Sequence, residues 1–184
     1  MTWEMIRVTG MVALALLTIS VTLGILGPAI TKPKGRLTSV SLHLTAGVGG
    51  TVLVIAHVFL AVIDSWIKVP FQAAFIPGAS PWETLWIAVG TIAFDLMLVM
   101  AVTSAMRQQA PKLWWKAHFV AYPVWALVWI HTLAIGTDAK TPLMIAFAAV
   151  SAGMVAAAVV IRVMRPKRTP VGTKHAPAME EVMA

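Results

Sequence analysis

Five long apolar runs, separated by polar, basic or proline-bearing stretches, organise this chain. They lie at roughly 5–27, 40–63, 84–106, 116–136 and 141–164. Each reaches the ~20 residues that a helix needs to cross a bilayer's hydrocarbon. The pattern predicts an all-α integral membrane protein, a bundle of five transmembrane helices, here called spans one to five. The first run is longer than the apolar segment of a secretory signal. No small-x-small cleavage site follows it, so it is expected to remain as a helix.

The stretches between the runs carry an orientation signal. Lys32, Lys34 and Arg36 follow span one; Arg107, Lys112 and Lys116 follow span three; Arg162, Arg165, Lys167, Arg168 and Lys174 close the chain. The opposite side holds only Arg7, Lys68 and Lys140. Basic residues favour the cytoplasmic side, so the N-terminus is expected outside and the C-terminus in the cytoplasm. The longest loop, about 64–83, carries Trp66, Pro70, Pro77, Pro81 and Trp82 and is expected along the outer interface.

Composition agrees with a membrane protein. Of 184 residues, 59% are hydrophobic and 11% charged, outside the range of a soluble domain. The length fits one domain over residues 1–164, followed by a basic, proline-bearing cytoplasmic tail over 165–184 that is expected to be disordered. The net charge of +7 is explained by topology, so nucleic acid is not an expected partner. Cysteine is absent, which excludes disulfides, covalently attached c-type heme and cysteine-ligated clusters.

Four histidines stand inside the apolar runs: His43 and His57 on span two, His118 and His131 on span four. The pairs are fourteen and thirteen residues apart, or about 21 and 20 Å along a helix. Spans two and four run in the same direction. His43 and His118 therefore fall at one depth and His57 and His131 at another. A histidine in hydrocarbon is costly and usually has a specific partner, and paired imidazoles at two levels are the ligand set of two stacked b-type hemes. The bland alternative is a set of hydrogen-bonded buried histidines without cofactor. Zinc fits poorly, because two ligands per level are too few for a structural site. A heme with both axial positions filled suits electron transfer rather than oxygen chemistry at the iron.

The angular fit differs between the spans. Fourteen residues return to within about 40° of the starting face, and Gly47 and Gly50 share that face of span two. They are expected to let a flat macrocycle approach the backbone, or else to pack helix on helix. Thirteen residues leave His118 and His131 about 140° apart on a straight helix. Pro123 lies between them and predicts a kink that frees the Phe119 carbonyl. His118, Tyr122, Trp125 and Trp129 share one face, an aromatic stripe that either lines the space between hemes or is ordinary packing.

The doubled histidine spacing on two same-direction helices resembles the ferric reductase-like transmembrane domain. That superfamily includes eukaryotic ferric reductases, NADPH oxidases and the heme-binding membrane subunit of the bacterial methionine sulfoxide reductase system. The segments Trp82–Arg107, Trp115–Tyr122 and His131–Asp138 are similar to its stand-alone bacterial members. The resemblance, over about residues 5–164, implies two b hemes passing electrons across a bacterial plasma membrane, with His43 and His118 ligating the inner heme and His57 and His131 the outer. It departs from the large eukaryotic members in lacking a following flavin and nicotinamide domain and in having five spans rather than six. A cytoplasmic flavoprotein or a membrane quinol is then the expected donor, with an extracytoplasmic acceptor left open and no catalytic residue in this chain.

Other candidates are weaker. Asp95, midway along span three, is either a partner for a ligand histidine's free ring nitrogen or a protonated acid bonded to Ser or Thr. Arg36 and Lys116 are candidate partners for inner heme propionates, Lys68 and Lys140 for outer ones. His175 belongs to the polar tail. Two rival functions stand beside the main one: a quinol-linked di-heme subunit of a respiratory dehydrogenase, with Asp95 or Asp64 at a quinone pocket, and a heme-free anchor or transporter.

Overall fold

The structure is a computed structural model that describes residues 2–30 and 32–164. The expected tail, with Arg165, Lys167, Arg168, Lys174 and His175, lies outside the described residues. Among the described residues six α-helices form: α1 (Thr2–Leu26), α2 (Pro33–Ile63), α3 (Thr84–Ala105), α4 (Pro111–His118), α5 (Ala121–Ile135) and α6 (Pro142–Met164). They make five segments long and apolar enough to cross a membrane, with Pro111–Ile135 acting as one. No strand occurs among the described residues.

Proline marks several boundaries. α2, α4 and α6 each begin at one, at Pro33, Pro111 and Pro142, where the missing N–H would have no helical acceptor in any case. That is why α2 starts seven residues before the expected boundary at 40 and draws Lys34 and Arg36 into its first turns. Pro123 acts differently from the expected kink. The chain breaks after His118, and α5 restarts at Ala121 with Pro123 in its first turn. Proline has no N–H for the Phe119 carbonyl, and that carbonyl accepts the Tyr122 N–H at 3.3 Å instead, while Val120 N–H donates to Ala117 at 3.0 Å. These three-residue bonds tighten the turn, and each such step rotates the chain about 20° further than an α-helical step. The added rotation brings His131 back towards the face of His118.

α1 is the hub. It packs most extensively on α2 and also meets α6 and α5, while α3 packs on α5 and α4. Small residues occupy many of these seams: Ala13, Ala46, Ala93 and Ala158 are all buried, which lets helices approach closely without a hydrophobic drive from water. One apolar cluster joins Leu14, Trp129 and Met144; another joins Phe94, Met97 and Val124. Large apolar side chains such as Leu37, Val48, Phe59 and Val163 point outward, as lipid-facing residues do. α2, with His43 and His57, and α5, with His131, are not extensively packed on each other. A cavity of about 190 Å³ lies between them, walled also by α1 and α3.

Loop 64–83 is tied down at both ends. The buried Asp64 carboxylate accepts the N–H groups of Trp66 and Ile67 at 2.9 and 3.0 Å. Asp64 is therefore spent on a turn rather than free for a quinone. The Thr91 hydroxyl of α3 donates to the Ala73 carbonyl at 2.6 Å, and Ser80 donates to the Trp82 carbonyl at 2.7 Å. Loop residues Ile67, Val69, Ala73, Ala74 and Trp82 line one end of the cavity, and a second pocket beside it is lined by Trp3, Trp66, Ile67, Trp82 and Thr137.

Candidate functional site

The structure brings the four histidines together in the expected pairs. The rings of His43 and His118 lie 5.9 Å apart, centroid to centroid, and nearly perpendicular at 81°. Two metal–nitrogen bonds of about 2 Å plus the depth of two imidazoles span roughly that distance. His57 and His131 face the common cavity from α2 and α5.

Ring orientation is set by carbonyls on neighbouring helices. His57 Nδ1–H donates to the Ile6 carbonyl at 2.8 Å. His43 Nδ1–H donates to the Ser20 carbonyl at 2.8 Å, and the Ser20 hydroxyl donates to the His43 carbonyl at 3.1 Å. His131 Nδ1–H donates to the Trp86 carbonyl at 2.8 Å. A proton held on Nδ1 leaves Nε2 with its lone pair, the tautomer a metal needs. No Nε2 atom of the four makes a hydrogen bond among the described residues.

A glycine accompanies each of these three bonds, four residues after the accepting carbonyl. A methyl group at Gly10 would stand 3.0 Å from the His57 ring, one at Gly24 3.3 Å from the His43 ring, and one at Gly90 2.6 Å from His131 Nδ1. The missing side chain opens a notch through which the imidazole reaches a helical carbonyl's second lone pair. Gly10 and Gly24 are fourteen residues apart, the same spacing as His43 and His57. The antiparallel α1 and α2 thus match notch to ring at both levels. That repeat was readable in the sequence and is the signal the histidine spacing alone did not use.

His118 is the exception. Its Nδ1 is buried with no partner among the described residues. Its ring leans on Trp114, with centroids 5.3 Å apart and planes 31° apart.

Gly47 and Gly50 serve helix packing: the place of a side chain is filled by Ser20 at Gly47 and by Leu17 at Gly50, both on α1. The aromatic stripe does not separate the two levels. Trp125 Nε1–H donates to the Thr18 hydroxyl at 3.0 Å, and Trp129 is buried against Leu14 and Met144. Asp95 supports no histidine and meets no Ser or Thr; it makes no hydrogen bond or ion pair among the described residues. It lies on the outward arc of α3 with Ile92, Val99 and Val102, and backbone carbonyls take the role considered for it.

Arg36 and Lys116 are exposed near the His43–His118 level. Arg36 stands two turns before His43 on the same face of α2, whereas Lys116 lies about 200° around α4 from His118, facing away. Sequence reasoning missed Arg7. It lines the cavity with His57 and pairs with Asp138 of the α5–α6 connection, and its Nε is buried without a partner among the described residues. Lys68 and Lys140 do not line the cavity. Among the described residues no three His, Cys, Asp or Glu side chains gather into one metal site.

Five membrane-length helices with histidines facing across an internal cavity define a multi-pass membrane protein. The sequence profile of the ferric reductase like transmembrane component matches residues 9–130, well over half the chain, and the protein belongs to that family. The match includes His43, His57 and His118 and ends one residue before His131. Neither a curated protein nor a solved structure matches the chain.

Proposed function

We propose that the protein conducts electrons across its membrane through two b-type hemes, one between His43 and His118 and one between His57 and His131. The observation that carries this reading is the state of the ring nitrogens: in both pairs Nε2 has no partner among the described residues, and three of the four rings are fixed by an Nδ1–H bond to a neighbouring helix. A merely structural histidine in hydrocarbon would use both nitrogens. Bound heme would supply reversible one-electron chemistry at iron.

The chain's own residues do the rest. The carbonyls of Ile6, Ser20 and Trp86 hold their imidazoles in the ligating tautomer and raise their basicity. α1 and α3 keep α2 and α5 apart, so that a macrocycle has room between them. Arg7 is the candidate propionate partner at the His57–His131 level and Arg36 at the other. The proposed membrane is a bacterial plasma membrane, and the basic loops support a His43–His118 level on its cytoplasmic side. Electrons then enter there from a flavoprotein or a quinol. They leave at the His57–His131 level to an extracytoplasmic acceptor, with substrate chemistry residing in partners.

A reduced-minus-oxidised spectrum of the purified protein tests this directly. A low-spin b-type signal is expected, falling by about half in a His57→Ala, His131→Ala double variant because one of two sites is lost. A colourless protein, or the full signal in the double variant, would favour a heme-free anchor or transporter.

A further inference from the structure

Asp95 stands at the middle of α3, about 15 Å of helix from either end. Among the described residues every other Asp, Glu, Lys and Arg lies in a connection or within two turns of a span's end. Aspartate is too short to snorkel to the interface as lysine and arginine do, and a carboxyl in hydrocarbon almost always has a polar partner. Asp95 has none among the described residues.

The side on which a partner must stand is fixed by α3 itself. This helix lies at the edge of the bundle, packed chiefly on α5 and α4. Ile87, Gly90, Phe94 and Met97 line the cavity. Asp95 points away from it, on a stripe with Leu85, Ala88, Ile92, Val99 and Val102. Leu85, Ile92, Val99 and Val102 are exposed. Lipid chains suit the apolar part of this stripe and offer the carboxyl nothing to bond.

We propose that α3 is the contact between two copies of this chain, with Asp95 of one copy bonded to Asp95 of the other. Two copies in one membrane share its orientation, so a twofold axis relating them runs along the membrane normal. It sets the two α3 helices parallel, each residue opposite its own counterpart. The stripe steps alternately by three and four residues, the repeat of a parallel coiled pair. Ile92 and Val99, β-branched and seven residues apart, suit two strands, and Ala88 lets the helices come close. The two carboxyls then meet beside the axis. A carboxylic acid has one O–H donor and a carbonyl acceptor, so two of them bond reciprocally and need no third group. A helix of another protein would have to supply its own donor at that depth, whereas a second copy brings one by symmetry. α3 also carries the Trp86 carbonyl that holds His131, so the pair sets its two His57–His131 levels on either side of one seam. Pairing needs no bound cofactor and stands or falls apart from the electron-transfer reading.

The chain has no cysteine, so a single introduced one reports its own neighbours. Val99→Cys, oxidised with copper–phenanthroline in native membranes, should give a disulfide-linked species of twice the chain's mass. Val48→Cys, exposed at the middle of α2, should not. Sedimentation equilibrium of the detergent-solubilised native chain should give a dimer. Asp95→Leu should raise its dissociation constant about tenfold, the scale of one polar bond between membrane helices. Asp95→Asn, whose amide also donates and accepts, should keep most of the affinity.

A monomeric native chain overturns the proposal, as does Asp95→Leu pairing as tightly as the native chain. Cross-linking at Val48→Cys as strong as at Val99→Cys overturns it too. So does a Val99→Cys adduct whose mass is not twice that of the chain, for α3 then docks a different membrane protein.

Discussion

At the scale of single residues, the glycines opposite the histidines carry a sharp expectation. Alanine is normally the better helix former by about 1 kcal/mol, so a glycine in α3 replaced by alanine should stabilise the helix if nothing opposes it. Gly90→Ala puts a methyl group 2.6 Å from His131 Nδ1, a distance that forces the ring or the helix to move. Overpacking of this kind costs about 1–3 kcal/mol. Gly90→Ala should therefore bind roughly half the native heme, since one site of two is disturbed. Gly24→Ala, at 3.3 Å from the His43 ring, should retain most of it. Heme content per protein by pyridine hemochrome, beside thermal unfolding followed by circular dichroism, checks the ranking. An equal effect at both positions would mean that the notches do not hold the rings. The histidines themselves were legible because an imidazole is rare in hydrocarbon. Their acceptors were not, because every residue has a carbonyl and nothing in the chain marks the ones a neighbouring helix will reach.

At the scale of elements, the fourth span shows how a local signal can be right in kind and wrong in form. The thirteen-residue spacing and Pro123 together predicted a kinked helix. The outcome is two helices, α4 and α5, joined by a tightened turn at Phe119 and Val120. The physical reason is the missing N–H at residue 123, which leaves the Phe119 carbonyl to the nearer Tyr122 N–H. Pro123→Ala restores the donor and should join α4 to α5. Helix content should hold or rise, while His118 and His131 turn towards their straight-helix offset of about 140°. The heme absorbance of one site should fall, with far-ultraviolet circular dichroism unchanged or stronger. Loss of both signals together would show that the break is needed for folding rather than for aiming the histidines.

At the scale of the whole molecule, every long helix matches an expected apolar run within a few residues, apart from the start of α2 and the broken fourth span. A bilayer obliges each crossing segment to satisfy its own backbone, so hydropathy alone locates the helices. The orientation is a proposal from the basic loops, and the absence of cysteine makes it easy to test. Single cysteines at Gln72 and Gln108, in loops at opposite ends of the bundle, should respond differently to a membrane-impermeant thiol reagent. Gln72→Cys is expected to react in intact cells, and Gln108→Cys only after permeabilisation. The reverse pattern would invert the direction of electron flow proposed above.

The sequence by itself determined the number of membrane crossings, their approximate bounds and the two depths at which histidines occur. These depend on hydropathy and on the 1.5 Å rise of a helix, both of which are local. Only the tertiary structure decided which ring nitrogen is held and which is free, that Arg7 rather than Lys68 or Lys140 lines the cavity, that Asp95 turns outward, and that Gly47 and Gly50 serve α1. Those outcomes depend on the register and rotation of one helix against another. Shifting either by a single residue turns a side chain about 100° and exchanges a carbonyl notch for a closed face.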